Sequence, residues 1–358
     1  MEMILEARDA GEWAYRGEGA ANLVLSYTGS YPPFVGKVLR VRKITENGAE
    51  YDNGLSGLSK HECLLWDELI SAPSREMAEH LYVKNVMRPL LGSDYVESGV
   101  RVLVGKGFLE SVESNILSKR PSWRVNDAKT NTECVSALLL PDLSHFPGSV
   151  LNKEFCITVE IKPKCGFLPV SDLIAEENSV KKSISRFKMH QALKFHQGKI
   201  SEVSEYDPLD LFSKSIKRVN KAVKDLFLTP QNNFRSCKVC SKFREVEEKL
   251  SERYSHIHSD PYSKSLKIVK DYLTAATAKD LSTMISFRPT ENRDMESLDD
   301  TVVLKSTRQS FQYKASFLDL DRKPLTKMEY YYELDQKIVR AYSQISKVKD
   351  NPGKSCEN

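Results

Sequence analysis

No stretch of the 358-residue chain approaches the roughly 18 apolar residues that a bilayer-spanning helix needs, so no membrane partner is expected. Cysteine is sparse and odd in number: of seven, only Cys237 and Cys240 lie close together. That argues against a disulfide scaffold and for a reducing compartment, cytoplasmic or nuclear. The opening Met1-Glu2-Met3-Ile4-Leu5-Glu6 has neither a basic region nor an apolar core, so no secretory signal is expected. Excess charge of one sign is missing too. Lys and Arg number 53 against 49 Asp and Glu, a net +4, too little for a protein that coats nucleic acid. No internal repeat is visible. What is present is ordinary for a folded chain, 40% apolar and 28% charged residues, at a length that suits two domains or lobes. A polyanion could be recognised only by locally clustered cations.

The pattern mixes strands and helices. Leu23–Tyr27, Phe34–Arg42, Arg101–Val104 and Ser136–Leu140 read as strands, His61–Leu69 and Arg75–Val86 as helices. Pro141-Asp142 breaks the chain like a hinge. Phe155–Ile161 is a further strand. A helix is expected from Val180 to Lys199 behind Asn178-Ser179 as its cap. Pro208–Leu228 and Ser265–Ala278 read as helical, Leu281–Phe287 and Gln312–Asp319 as strands. Pro324–Ser343 is a long helix with proline in its first turn, where the missing N–H costs nothing. The expected division is an N-lobe at 1–140, a hinge at 141–145, a C-lobe at 146–345 and a disordered tail at 346–358.

Five stretches could carry chemistry. Gly17-Glu18-Gly19-Ala20-Ala21-Asn22-Leu23-Val24 fits G-x-G-x-x-G-x-V with Asn22 in the third glycine slot, a form that lets backbone N–H groups approach phosphates. Lys37 and Arg40 follow on the next strand, where a cation would meet those phosphates. Glu160-Ile161-Lys162-Pro163-Lys164 places Glu160 and Lys162 on one strand face, while Pro163 redirects Lys164. The helix at 180–199 carries Lys181, Lys182, Arg186, Lys188, Lys194 and Lys199 without one acid. Asp319 ends a strand, and Lys323, Lys327 and Tyr331 follow at steps of four, a spacing that stacks side chains on one helix face. Cys237 and Cys240, with His256 and His258, hold part of a tetrahedral zinc set. Each has a plainer reading: a simple turn, solvated charged faces, or reduced cysteines in a loop.

Taken together these residues resemble the inositol-pentakisphosphate 2-kinase family in its plant form, over nearly the whole chain. The most specific element is Glu160-Ile161-Lys162-Pro163-Lys164, matching the family's E-x-K-P-K. Trp123-Arg124-Val125-Asn126, Ser185-Arg186-Phe187-Lys188-Met189-His190-Gln191, Pro230-Gln231-Asn232-Asn233-Phe234-Arg235 and Ala275-Ala276-Thr277-Ala278-Lys279-Asp280 match as well. The resemblance implies an α+β, two-lobed, protein-kinase-like ATP-binding fold. The implied reaction is transfer of phosphate from ATP to the 2-hydroxyl of inositol 1,3,4,5,6-pentakisphosphate, giving inositol hexakisphosphate (phytate), by a monomer.

Residue by residue, it implies that Gly19, Ala20, Ala21, Asn22 and Arg40 meet the ATP phosphates, and Pro141, Asp142 and Leu143 the adenine edge. Glu160 would hold the ribose, with Ile161 in the nucleotide site and Met284 near the base. Arg235 would reach the ATP phosphates, and Lys162 would lie between nucleotide and substrate. Asp319 would hold Mg²⁺. Asp280 would be the catalytic base. Arg124, Lys164, Lys194, Asn232, Lys323, Lys327 and Tyr331 would grip the substrate phosphates. Five phosphates at about −1.5 to −2 each carry roughly −8 to −10, which explains why cations must gather locally in a chain of mild net charge.

Two departures stand out. Lys327 occupies a position where the family has arginine, so a fork becomes a point charge. After Arg235 the family continues through more of the C-lobe, whereas this sequence passes almost directly to Cys237. The stretch it lacks carries one zinc-ligating histidine, so Cys237, Cys240 and His258 match three of four ligands, and a structural zinc stays open. The C-lobe is thus expected to be incomplete. A second reading is a kinase-like shell that binds inositol phosphates without transferring phosphate. A third, a nucleic-acid binder using the basic helix, lacks the aromatic-interleaved basic pattern such binding uses.

Overall fold

Alternating apolar and polar residues build the first sheet. In Asn22–Tyr27, Leu23 and Leu25 are fully buried while their neighbours are partly exposed, the period-two signature of a strand with one covered face. The structure is a computed structural model describing residues 4–19, 21–45, 58–146, 156–170, 174–229, 234–235, 262–290, 301–304 and 306–350. The chain divides into two units, Met1–Glu154 and Phe155–Asn358.

Unit 1 contains strands β1 (Ile4–Leu5), β2 (Trp13–Glu18), β3 (Asn22–Tyr27), β4 (Lys37–Thr45), β5 (Val100–Val104), β6 (Ala128–Thr130) and β7 (Ser136–Pro141). They form one sheet in the order β1-β5-β7-β4-β3-β2, with β6 on the far end of β4. Among the described residues of this sheet, the β1–β5 pair is parallel and the other pairs are antiparallel. Helices α1 (Lys60–Leu65), α2 (Arg75–Tyr82), α3 (Arg88–Leu91), α4 (Lys106–Ile116) and α5 (Ser122–Val125) accompany it. Helix α1 starts with a capping box, Ser59 and Glu62 each bonding the other's backbone N–H. Phe108, Leu109, Val112 and Ile116 of α4 recur at helical spacing and pack on Trp13, Leu23, Leu25, Leu39 and Val41, which makes the core of this unit.

Unit 2 is built on an antiparallel sheet. Strands β8 (Ile157–Ile161), β9 (Phe234–Arg235), β10 (Ser282–Thr290), β11 (Thr301–Leu304) and β12 (Gln309–Leu318) run in the order β11-β12-β10-β8-β9. Its helices are α6 (Arg186–His196), α7 (Pro208–Leu211), α8 (Ile216–Leu228), α9 (Tyr262–Ala278) and α10 (Met328–Asp350). Helices α6 and α10 meet through Met189, Leu193, Ile338 and Val339. Ile161 packs with Tyr206, Leu211, Ala222 and Leu226.

Several boundaries differ from the sequence pattern. Helix α6 is capped by Ser185, whose hydroxyl accepts from the Lys188 N–H at 3.4 Å, and not by Asn178 or Ser179. Residues Glu176–Lys182 form a separate 3-10 helix. Ser185 is buried, so its cap is held in place, while Asn178 precedes a break at Ser183–Ser185. Helix α10 runs to Asp350, so 346–350 are helical, not tail.

Candidate active site

The register of unit 2 brings three chain segments to one end of its sheet. Ser282 pairs with Leu318 and Thr283 with Ile161, so the exit of β8, the entrance of β10 and the exit of β12 lie side by side. The residues singled out in the sequence follow directly from those ends: Lys162 and Lys164 after β8, Asp280 before β10, Asp319 and Lys323 after β12.

Asp280 occupies the turn between α9 and β10 and is gripped by two lysines. Lys164 Nζ donates to Oδ1 at 2.7 Å and Lys323 Nζ to Oδ2 at 3.0 Å. Burial pushes its pKa up, but the charges and hydrogen bonds of Lys164 and Lys323 outweigh burial and hold the carboxyl well below the usual carboxylate range. The carboxylate remains about half exposed. Beside it, Lys162 Nζ donates to Asp319 Oδ2 at 2.6 Å, and the Ser282 hydroxyl donates to the same oxygen at 3.1 Å. Burial would lower the Lys162 pKa, but Asp319, with help from Asp280 and Glu160, raises it.

Two backbone conformations serve this arrangement. Lys164 (φ 63°) and Asp319 (φ 59°) lie in the left-handed region, uncommon for side chains other than glycine and costing of order 1–3 kcal/mol each. Both follow strand ends and both aim a charged group at the cluster. The turn at Lys164 is buttressed by buried Tyr206, whose hydroxyl donates to the Pro163 carbonyl at 2.6 Å.

Other residues sit as follows. Glu160 lies on β8, opposite Met284 of β10 and Arg235 of β9. Ile161 is buried in the core. Lys194 of α6 faces Lys164 and Lys199; burial first, then those like charges, lower its pKa. Tyr331 is close enough to Asp280 that the carboxylate adds to the upward push of burial on its phenol. The expected stacking of Lys323, Lys327 and Tyr331 on one helix face is not observed. Lys323 precedes the helical segment, Lys327 ends a 3-10 turn (Leu325–Lys327), and Tyr331 alone lies on α10, because Pro324 keeps the chain extended.

His190, not among the residues singled out in the sequence, lies close to these cations. It lies one turn before Lys194 and one after Arg186, and the cations Lys194, Arg186, Lys164 and Lys199 surround it. Burial, then those charges, lower its pKa to about 4. The signal was in the sequence: Arg186, His190 and Lys194 repeat at steps of four.

In unit 1, the turn from Gly19 to Asn22 is closed by the Gly19 N–H on the Asn22 carbonyl at 2.9 Å. The Ala21 carbonyl accepts from the Lys43 N–H at 2.9 Å. A Cβ on Gly17 or Gly19 would meet nothing within 4 Å among the described residues, and neither has a positive φ, so the chain's own packing does not require glycine there. Arg40 of β4 lies opposite Val24 and Leu138. Pro141 ends β7. The Asp142 carboxylate accepts from the Ser144 N–H and hydroxyl at 3.0 and 2.6 Å and lies 3.2 Å from His145 and 3.8 Å from Arg16, and the Asp142 N–H binds the Gly36 carbonyl. Leu143 follows directly. Arg124 of α5 lies over the Trp123 ring, 4.1 Å from its centroid, and 3.7 Å from Asp127.

Ala20, Asn232, Cys237, Cys240 and His258 lie outside the described residues, as does the Arg235 side chain. Among the described residues no group of three or more His, Cys, Asp or Glu could hold a metal ion. A lone strand-end carboxylate such as Asp319 fits Mg²⁺ of the kind held mostly by phosphate oxygens and water.

A carboxylate held between lysines, with further cations and a second carboxylate within reach, is an arrangement whose ammonium groups could also meet anionic oxygens. The comparisons make this specific. The family model described as inositol-pentakisphosphate 2-kinase matches residues 15–250 and 237–337. The inositol-pentakisphosphate 2-kinase of Arabidopsis thaliana is 42% identical over 443 aligned residues, covering 98% of this chain and 97% of its own. The corresponding protein IPK1 of Oryza sativa subsp. indica is 40% identical over 438, covering 98% of each. A Danio rerio relative is 36% identical over 235, covering 65% of this chain and 44% of its own. The chain belongs to the inositol-pentakisphosphate 2-kinase family. The Arabidopsis alignment, 443 positions against a chain of 358 residues, leaves at least 85 positions without a counterpart here, and the two family-model segments meet at 237–250.

Proposed function

We propose that the chain is an ATP-dependent kinase that phosphorylates the 2-hydroxyl of inositol 1,3,4,5,6-pentakisphosphate to give inositol hexakisphosphate. Unit 1 serves as the nucleotide lobe of a protein-kinase-like fold. The observation that carries this reading, beside family membership, is Asp280 bridged by Lys164 and Lys323. The Asp280 carboxylate pairs with both lysines. Substrate phosphates, more highly charged, compete for the same ammonium groups, and Lys194 adds to the attraction, while neutral His190 offers a ring N–H for hydrogen bonding.

As the lysines turn to phosphate, Asp280 gains basicity and can accept the proton of the 2-hydroxyl. The oxygen then attacks the γ-phosphorus of ATP, the bond to the β–γ bridging oxygen breaks, and ADP leaves. Lys162 offers positive charge where that negative charge develops, so the protein acts by positioning and electrostatics. Asp319 would hold Mg²⁺, which when bound neutralises charge on the ATP phosphates. Arg124, Lys327, Tyr331 and Asn232 complete the phosphate contacts, while Gly19, Ala20, Ala21, Asn22, Arg40 and Arg235 attend the nucleotide.

The test is incubation of the purified chain with Mg-ATP and the pentakisphosphate. Hexakisphosphate is the expected product, and Asp280→Asn should lower kcat by on the order of 10²–10⁴ while leaving inositol phosphate binding unchanged or tighter. A folded chain that bound the substrate yet transferred nothing would identify a binding protein instead. Full activity in Asp280→Asn would remove Asp280 from the chemistry.

A further inference from the structure

The glycine turn of unit 1 is anchored by an ion network that neither the sequence motifs nor the proposed chemistry uses. Glu18 lies between Gly17 and Gly19, and its side chain is buried. It accepts two bonds from Arg120, Nε to Oε1 at 2.9 Å and Nη2 to Oε2 at 3.0 Å, and one from Lys43 Nζ at 2.5 Å. Tyr15 also donates to it, at 3.4 Å. The Arg120 side chain is completely buried. Its Nη1 binds Glu113 of α4 at 2.8 Å, and its Nη2 reaches the carbonyls of Ala128 at 2.6 Å and Arg124 at 3.3 Å. Glu113 in turn accepts from the Thr130 N–H at 3.1 Å and from its hydroxyl.

Such a network is a costly way to stabilise a fold. Taking these ions out of water is expensive, and well-packed apolar residues of the same volume often do as well or better. What a bidentate fork supplies is geometry: it fixes two chain segments at one distance and angle. The segments fixed here are the glycine turn and the short helix α5 with Arg124.

We propose that Arg120, forked on Glu18 and bonded to the Arg124 carbonyl, is a positioning residue that locks the glycine turn to the helix bearing Arg124, so that nucleotide and inositol phosphate engage one rigid element and bind cooperatively. The proposal rests on the reading that the turn meets nucleotide and Arg124 meets inositol phosphate. Burial works against the Glu18 charge, yet Arg120 and Lys43 hold its pKa low, so the network stays ionised at neutral pH.

The experiment is calorimetric titration of ADP with Mg²⁺ into the full chain, with and without saturating inositol hexakisphosphate. In the unmodified protein the hexakisphosphate should tighten ADP binding at least about fivefold. In Arg120→Lys, which keeps the charge and loses the fork, and in Glu18→Gln, the factor should fall toward one while each ligand alone still binds. Glu113→Gln is the control: it removes a stabilising partner of Arg120 but leaves the Glu18 fork intact, so the melting temperature falls and the factor persists. Independent binding in the unmodified protein overturns the proposal even if no variant folds. So does a factor unchanged in a folded Arg120→Lys or Glu18→Gln, or one lost equally in Glu113→Gln. Failure of the unmodified protein to bind either ligand would refute the proposed function itself, a result distinct from binding both without coupling.

Discussion

His190 shows how a residue's surroundings set its charge. Its neighbours are cations, and both burial and those charges favour the neutral ring, lowering its pKa to about 4 from an ordinary 6.5. The folded state therefore resists a proton that the unfolded chain accepts. Stability is fully present above about pH 6.5 and declines as pH falls from there toward 4. The ligand-free protein should lose melting temperature over that interval, and His190→Asn should lose less. Equal losses would show that His190 does not carry the effect. Asp280 has the opposite problem, burial against two cations, and the cations win. A lone carboxylate in the sequence Lys279-Asp280-Leu281 gives no hint of those partners, which come from 116 and 43 positions away.

At the scale of elements, the site exists because three strand ends converge and two residues accept left-handed backbone there. The β8 exit illustrates how tightly this is built. Just past Lys164, a Cβ on Gly166 would run into the ring of Phe212, which packs on the Ile161 and Tyr206 cluster. Gly166→Ala should cost about 1–3 kcal/mol in denaturant unfolding and weaken inositol phosphate binding by displacing Lys164. An unchanged midpoint and affinity would show that the turn is free to shift.

The strands that frame the site were legible from runs such as Ile-Thr-Val-Glu-Ile, since alternation is local information. The helix stripe of Lys323, Lys327 and Tyr331 was misread, because spacing of four is equally met by an extended lead, a 3-10 turn and one helical residue. The cap of α6 differs from the expected Asn178-Ser179 because Ser183 and Ser185 are also capping residue types, and tertiary burial selects Ser185. Glu18 and Arg120 were invisible as a pair: they lie 102 positions apart, and only the fold of β2 against α4 and α5 joins them.

For the whole molecule, a net charge of +4 conceals local clustering. Lys162, Lys164, Lys194 and Lys323 gather in unit 2 around Asp280 and Asp319, which pair with three of them, so phosphate must displace carboxylate to reach these cations. Affinity for inositol pentakisphosphate should thus fall steeply with added salt, although the protein as a whole is nearly neutral. A shallow dependence would mean that few of these cations meet phosphate. The chain also lacks at least 85 alignment positions that its Arabidopsis relative has, yet every described member of the cluster around Asp280 lies outside 237–250, where the family match breaks.

The most direct measurement of the central claim is calorimetric binding of inositol pentakisphosphate, at one fixed salt concentration, to the unmodified chain and to Lys164→Met, Lys323→Met and Lys106→Met. Lys106 is exposed and pairs with Glu133 in unit 1. The account predicts that losing either lysine of Asp280 weakens binding roughly 10- to 100-fold, the loss of one charged hydrogen bond to phosphate, and that Lys106→Met leaves it unchanged. Equal affinity in all four proteins would contradict it.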